Sequence, residues 1–196
     1  MDVVSLYTNI PHQEAILYII EQYSETLPLW DSNKLGIVSV DINTLQNLLN
    51  LMLTNCTFEI NGSFFSQNYG TPMGAPASVR IANIFMYKSL QKFLTEYKEH
   101  KPDKLGRLID DIFFIWKHGV EHLQSLHNAL NNYHPTIKFE MNYSQTEVNF
   151  LDNTVFIKDN LIHTKLCIKP TDKNNICIIP AVTHIMSKRL FLMHKH

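Results

Sequence analysis

Apolar residues recur at three- and four-residue intervals in several stretches of the chain, and between them they form short runs closed by turn-forming residues. Ala15, Ile16, Ile19, Ile20 and Tyr23 fall on one helical face, predicting a helix to about Glu25. Pro11 opens it, because an amide hydrogen missing from a first helical turn leaves no bond unmade. Leu45, Leu48, Leu49, Met52 and Leu53 set a second helix near residues 42–54 and predict that this stripe is buried. Ile81, Phe85 and Phe93 mark the inner face of a third, near residues 78–97. Leu123, Leu126 and Leu130 do the same for a fourth, near residues 120–133.

The short runs read as strands. Residues 2–7 form an extended fragment, followed by Thr8-Asn9-Ile10-Pro11. Asn61-Gly62 separates two apolar runs and predicts a hairpin, because a type I′ turn needs positive φ at both central residues. Residues 107–116 read as strand, acidic turn, strand, with Asp110 and Asp111 at the turn. Further strands are expected around residues 137–141, 148–157 and 161–168. Residues 67–77, with two glycines and two prolines, should form a shaped loop, and the tail from Lys169 shows no clear period. Helices interleaved with hairpins predict an α+β fold with a mainly antiparallel sheet.

Composition narrows this picture only slightly. A chain of 196 residues, 45% hydrophobic and 18% charged, can bury one sizeable core and is not disordered. Its 17 basic and 18 acidic residues give a net charge of −1, which argues against a surface that binds nucleic acid all over. No apolar run reaches the roughly 18 residues needed to cross a bilayer. Met1-Asp2-Val3-Val4-Ser5 lacks the features of a signal peptide, so an intracellular protein of cytoplasm or nucleus, not a secreted one, is expected. Cys56, Cys167 and Cys177 are odd in number and read as reduced thiols; Cys167, Cys177, His163 and His184 match no common zinc spacing.

The chemistry sits at the acidic turn. Adjacent carboxylates between apolar strands repel one another, and partial burial raises that cost unless a cation offsets it. Magnesium suits such oxygen ligands, above all where phosphates complete its shell. Neighbouring strand residues point to opposite faces, so one aspartate of the pair faces a shared metal directly and a further carboxylate must come from elsewhere. Taken alone, the pair reads more often as a solvated polar turn.

Seven ordered segments widen the pattern: Asp2 to Pro11; Gln67 with Gly70-Thr71-Pro72-Met73-Gly74; Ile81 to Met86; Arg107 to Phe113; His134 to Phe139; Phe150-Leu151-Asp152; and Lys169 to Asp172. Together they resemble reverse transcriptases, most closely those of Penelope-like retroelements. The resemblance implies a polymerase palm-like fold, a mainly antiparallel sheet with packed helices, its first strand truncated. Residues 1–157 would be a partial palm with the fingers missing, and residues 158–196 the palm end and the start of an incomplete thumb. It also implies an RNA-directed DNA polymerase of a retrotransposon, working by two-metal nucleotidyl transfer with two Mg²⁺ ions, or Mn²⁺ in their place.

The same resemblance assigns roles. Asp2 and Asp110 would bridge the metals, with Asp111 assisting. Tyr7 would crowd the sugar 2′ position and so select deoxynucleotides. Gln67 would donate a hydrogen bond near the nucleotide, while Gly70, Met73 and Gly74 would form the loop against nucleotide or template. Lys138 would neutralise departing pyrophosphate, and Lys169 would touch primer phosphate. The implied partners are an RNA template, a DNA primer and deoxynucleoside triphosphates, with no membrane.

The chain departs from the family at several places. Only Met1 precedes Asp2; Val79, Arg80, Tyr87 and Leu90 stand where other residues are usual; and Leu108 replaces an aromatic before the aspartates. Residues 180–196 only faintly resemble a thumb, and no GIY-YIG endonuclease segment follows. Lys98, Lys101, Lys104 and Arg107 could line nucleic acid, but read more readily as a solvated helix end. Two alternatives stay open: an inactive relic with at most nucleic-acid binding, and another two-metal phosphoryl-transfer enzyme such as a nuclease.

Overall fold

The computed structural model describes residues 1–29 and 39–167. Strand β1 (Asp2–Val3) is short because Ser5 takes a left-handed conformation, φ 49°, and turns the chain into helix α1 (Leu6–Asn9). The side-chain amide of Asn9 then donates to the Val4 and Ser5 carbonyls at 3.2 and 3.1 Å, fixing that corner. The extended fragment expected over residues 2–7 therefore ends after Val3. Helix α2 (His12–Thr26) follows Pro11, whose carbonyl accepts the Ala15 amide at 3.0 Å.

Helix α3 (Ile42–Thr54) starts at Asp41, whose side chain accepts from the Thr44 amide and hydroxyl at 3.0 and 2.6 Å. Its position matches the sequence pattern, but its burial does not. Leu53 is buried and Leu45, Leu49 and Met52 are half-buried, whereas Leu48 is 54% exposed. Strands β2 (Thr57–Ile60) and β3 (Ser63–Ser66) form the expected hairpin, with Asn61 and Gly62 at φ 51° and 78°. Phe58, Ile60, Phe64 and Phe65 remain exposed on it.

Helix α4 (Ser78–Glu96) buries Ile81, Phe85 and Phe93 as its period predicts. It also buries Lys88, whose ammonium reaches both Glu25 oxygens at 2.7 Å. Strands β4 (Lys104–Leu108) and β5 (Asp111–Ile115) make the acidic hairpin, and helix α5 (Val120–Tyr133) buries Leu123, Leu126 and Leu130. Of the strand expected over residues 137–141, only β6 (Phe139–Glu140) forms.

The apolar run over residues 148–157 is two strands, not one. Leu151 turns left-handed at φ 55° between β7 (Glu147–Phe150) and β8 (Asn153–Lys158). A second reversal, with Asp159 and Asn160 at φ 52° and 58°, leads into β9 (Leu161–Leu166).

The elements fall into two compact units. A strand-rich unit comprises Met1–Val3, His100–Asn128 and Phe139–His196, the last described to residue 167. Here β1 pairs antiparallel with β6, Asp2 opposite Glu140 and Val3 opposite Phe139, while β7, β8 and β9 form a three-stranded sheet. A helical unit comprises Val4–Glu99 and Ala129–Lys138. Its core brings Tyr18 against Phe85 at 5.6 Å between ring centroids and sets His134 edge-on to Phe85 at 5.8 Å. Every pairing among the described strands is antiparallel, so the fold is α+β, with several small sheets in place of one broad one. Among the described residues, no helix is long and apolar enough to cross a membrane.

Candidate active site

In the strand-rich unit, strand alternation decides how the carboxylates are presented. Val3 is 3% exposed, which puts its neighbour Asp2 on the opposite, solvent-facing side of β1. Ile112 is 2% exposed and turns Asp111 outward in the same way. Met1 and Ile112 exchange backbone hydrogen bonds, 2.8 Å each way, and the Val3 amide donates to the Asp110 carbonyl at 3.3 Å. The strand bearing Asp2 thus lies along the hairpin bearing Asp110 and Asp111.

Asp2 and Asp111 line one cavity of about 630 Å³, together with Trp116, Glu140, Tyr143 and Asn149. The two carboxylates also act together on the Met1 amino group. Burial pushes its pKa down, and the charges of Asp2 and then Asp111 pull it back up. The charge of Asp110 acts on Arg107, whose pKa it raises against the larger, lowering effect of burial.

The turn between them is strained. Leu108 pairs with Asp111, leaving Ile109 and Asp110 as a two-residue loop. Ile109 has φ 53°, while Asp110 is not among the positive-φ residues. A loop position held at positive φ ordinarily takes glycine. A β-branched residue there costs roughly 1–2 kcal/mol. Arg107, expected from sequence at a solvated helix end, is instead 6% exposed on β4, and its Nη1 donates to the Ile109 carbonyl at 2.7 Å. The helix before it stops at Glu96, so the arginine belongs to the hairpin.

The remaining candidates lie in the helical unit. Gly70, at φ 70°, sits directly on the backbone of α1: a Cβ built there would lie 2.2 Å from the Tyr7 carbonyl oxygen and 2.6 Å from the Thr8 Cα. The Thr71 amide donates to that Tyr7 oxygen at 2.7 Å, and His12 Nε2 donates to the Gly70 carbonyl at 2.6 Å. The Thr71 hydroxyl donates to the Ser78 hydroxyl at 2.6 Å, tying the loop to the start of α4. The structure therefore joins Tyr7 and Gly70, and it adds His12, which no sequence period marks.

Met73 is 71% exposed, and Gly74, at φ 91°, has nothing within 4 Å of a built Cβ. Gln67 donates to the Tyr69 carbonyl at 2.8 Å, within its own loop. The Lys138 ammonium donates to the Asn131 and His134 carbonyls at 2.6 and 3.0 Å. Lys169, Cys177 and His184 lie outside the described residues.

Among the described residues, no three His, Cys, Asp or Glu side chains converge closely enough to hold a metal ion by themselves. The donors present are nonetheless of the kind Mg²⁺ takes: hard carboxylate oxygens, few in number. That ion ordinarily binds through one or two carboxylates, its remaining positions filled by water and substrate phosphates.

The sequence matches no protein-family profile and no curated protein. A solved structure of apo telomerase from Candida tropicalis, truncated from its C-terminal domain, is similar in fold, with a TM-score of 0.57 at 18% identity. The match covers 84% of this chain and 34% of the telomerase chain, so this chain spans about a third of that neighbour's length. The likeness is one of fold.

Proposed function

We propose that this chain is the palm portion of a reverse transcriptase of the Penelope-like kind, with Asp2, Asp110 and Asp111 as its metal-holding carboxylates. One observation carries the reading: a backbone bond of 3.3 Å from Val3 to Asp110 lays Asp2's strand along the acidic hairpin, although the two are distant in sequence. Two-metal phosphoryl transfer draws its carboxylates from separate segments brought side by side in this way. The reverse-transcriptase-like fold supports it, as does the cavity beside Asp2 and Asp111.

Asp2, Asp110 and Asp111 would hold two Mg²⁺ ions, which lower the pKa of a primer 3′-hydroxyl and neutralise the departing pyrophosphate. The protein's own contribution is placement. β1 fixes Asp2 from one side, the β4–β5 turn fixes Asp110 and Asp111 from the other, and the loop at Gly70 anchors to the Tyr7 carbonyl. In this reading Tyr7 would crowd the sugar 2′ position, Gln67 and the Gly70–Gly74 loop with Met73 would meet nucleotide or template, and Lys138 would neutralise departing pyrophosphate. An RNA template, a DNA primer and deoxynucleoside triphosphates are the partners of this reading.

Primer extension on an RNA template, with deoxynucleotides and Mg²⁺, tests it. Asp110→Asn should lower extension by at least about a hundredfold, the loss expected when a ligand worth several kcal/mol of transition-state stabilisation is removed. Extension unaffected by that change would sink the site assignment. Cleavage of nucleic acid without added nucleotides would point instead to a nuclease. Tyr7→Ala should raise ribonucleotide incorporation by about tenfold relative to deoxynucleotide, the scale of steric discrimination in a pocket. An unchanged ratio would remove Tyr7 from the sugar site.

A further inference from the structure

Arg107 raises a question that the assigned residues leave open. It lies on β4 one residue before Leu108, it is 6% exposed, and a neutral side chain of similar length would fill its space without the cost of a buried charge. Its Nη1 spends a short bond, 2.7 Å, on the carbonyl of Ile109. That carbonyl belongs to the one residue of the turn held at positive φ, 53°, without being glycine. A planar guanidinium offers donors in a fixed fork, so it can hold a carbonyl at a set angle where a lysine would act as a point charge. Burial pushes the group's pKa down to about 10 while Asp110 pulls it up, so it stays cationic at neutral pH.

We infer that Arg107 is a positioning residue: its guanidinium clamps the Ile109 carbonyl and so holds the strained turn in the form that presents Asp110 and Asp111 to divalent metal. This rests on the metal-centre reading above and adds a residue to it. The clamp and a purely electrostatic role differ in sign. A buried cation beside carboxylates repels a metal ion, so if charge alone mattered, removing it would tighten metal binding. If the clamp matters, removing it loosens the turn and weakens binding.

The test is the affinity of the chain for Mn²⁺ alone, followed as the loss of the free-ion electron paramagnetic resonance signal. Arg107→Met is expected to weaken binding by about tenfold, as loss of a residue supporting a metal ligand does, and Arg107→Lys by less. Ile109→Gly in the Arg107→Met background should restore most of the affinity, because glycine adopts that φ unaided and no longer needs the clamp. Should Arg107→Met fail to fold by circular dichroism, Arg107→Lys with and without Ile109→Gly gives the same comparison. Mn²⁺ binding unchanged or tighter in the arginine variants, while Asp110→Asn weakens it, would overturn the clamp and leave the metal centre standing. Binding that is absent in the unaltered chain, or insensitive to Asp110→Asn, would overturn the metal centre and the clamp with it.

Discussion

Gly70→Ala should destabilise the helical unit by about 2–5 kcal/mol and lower its unfolding midpoint by roughly 10 °C. Two independent costs add. The backbone there, at φ 70°, is one that an L side chain adopts only with strain, about 1–2 kcal/mol. The new methyl would also stand 2.2 Å from the Tyr7 carbonyl oxygen and 2.7 Å from the Thr8 carbonyl carbon. Those are backbone atoms, held by the Thr71-to-Tyr7 bond, and cannot swing aside as a side chain would. Forcing them apart adds about 1–3 kcal/mol. Gly74→Ala separates the terms, since φ is 91° there and the space is open; it should lose only the conformational part, about 1–2 kcal/mol. Thermal unfolding of the two variants side by side checks this, and equal losses would show that the contact with α1 does not matter.

His134→Ala should cost about 3–8 kcal/mol. The imidazole is 7% exposed, and its Nδ1 accepts from the Thr136 and Ile137 amides at 3.2 Å each. An acceptor nitrogen carries no proton, so the proton sits on Nε2, which donates to Glu14 at 2.8 Å. The other Glu14 oxygen accepts from the Tyr18 hydroxyl at 2.6 Å, and burial with that carboxylate pushes the Tyr18 pKa well up. Removing the ring orphans two amides at about 1–3 kcal/mol each and leaves a cavity beside Phe85. His134→Phe keeps the ring volume and loses the bonds, so it should recover only the cavity's share, about 1–2 kcal/mol. Denaturant midpoints decide: a phenylalanine variant as stable as the unaltered chain would show that packing, not hydrogen bonding, holds this corner.

Much of the fold was legible because it is written locally. Asn61-Gly62 declares its hairpin through backbone freedom, and the Ile81-Phe85-Phe93 spacing declares a buried helical face. Periodicity, however, says which residues share a face and not what covers that face. The Leu45-to-Leu53 stripe has the right spacing, yet Leu48 stays exposed. The turn at Leu151 was invisible because leucine at positive φ carries no turn signature; its position is fixed by the pairing of Phe150 with Asn153.

At the site, the acidic pair could be read from the sequence, but its setting could not. Arg107 falls within the strand read from residue 107 onward, but the lysines before it suggest a solvated charge, and nothing in the sequence signals that its guanidinium is buried. His12 was missed because it acts on a carbonyl of the Gly70 loop, a partner that sequence spacing cannot supply. The nearness of Asp2's strand to Asp110 came only through resemblance, since no local rule joins residues so distant.

That distance has a kinetic side. The β4–β5 hairpin closes over two loop residues, a step of microseconds, and carries Asp110 and Asp111 with it. The bonds between Met1 and Ile112 instead join residues 111 apart, and closing a loop of that length costs roughly 4 kcal/mol of chain entropy. The β1–β6 ladder, which pairs Asp2 with Glu140, closes a longer one still. Non-local pairings of this kind follow local ones. Asp2 leaves the ribosome first of the three carboxylates, and it is the last whose backbone partners exist.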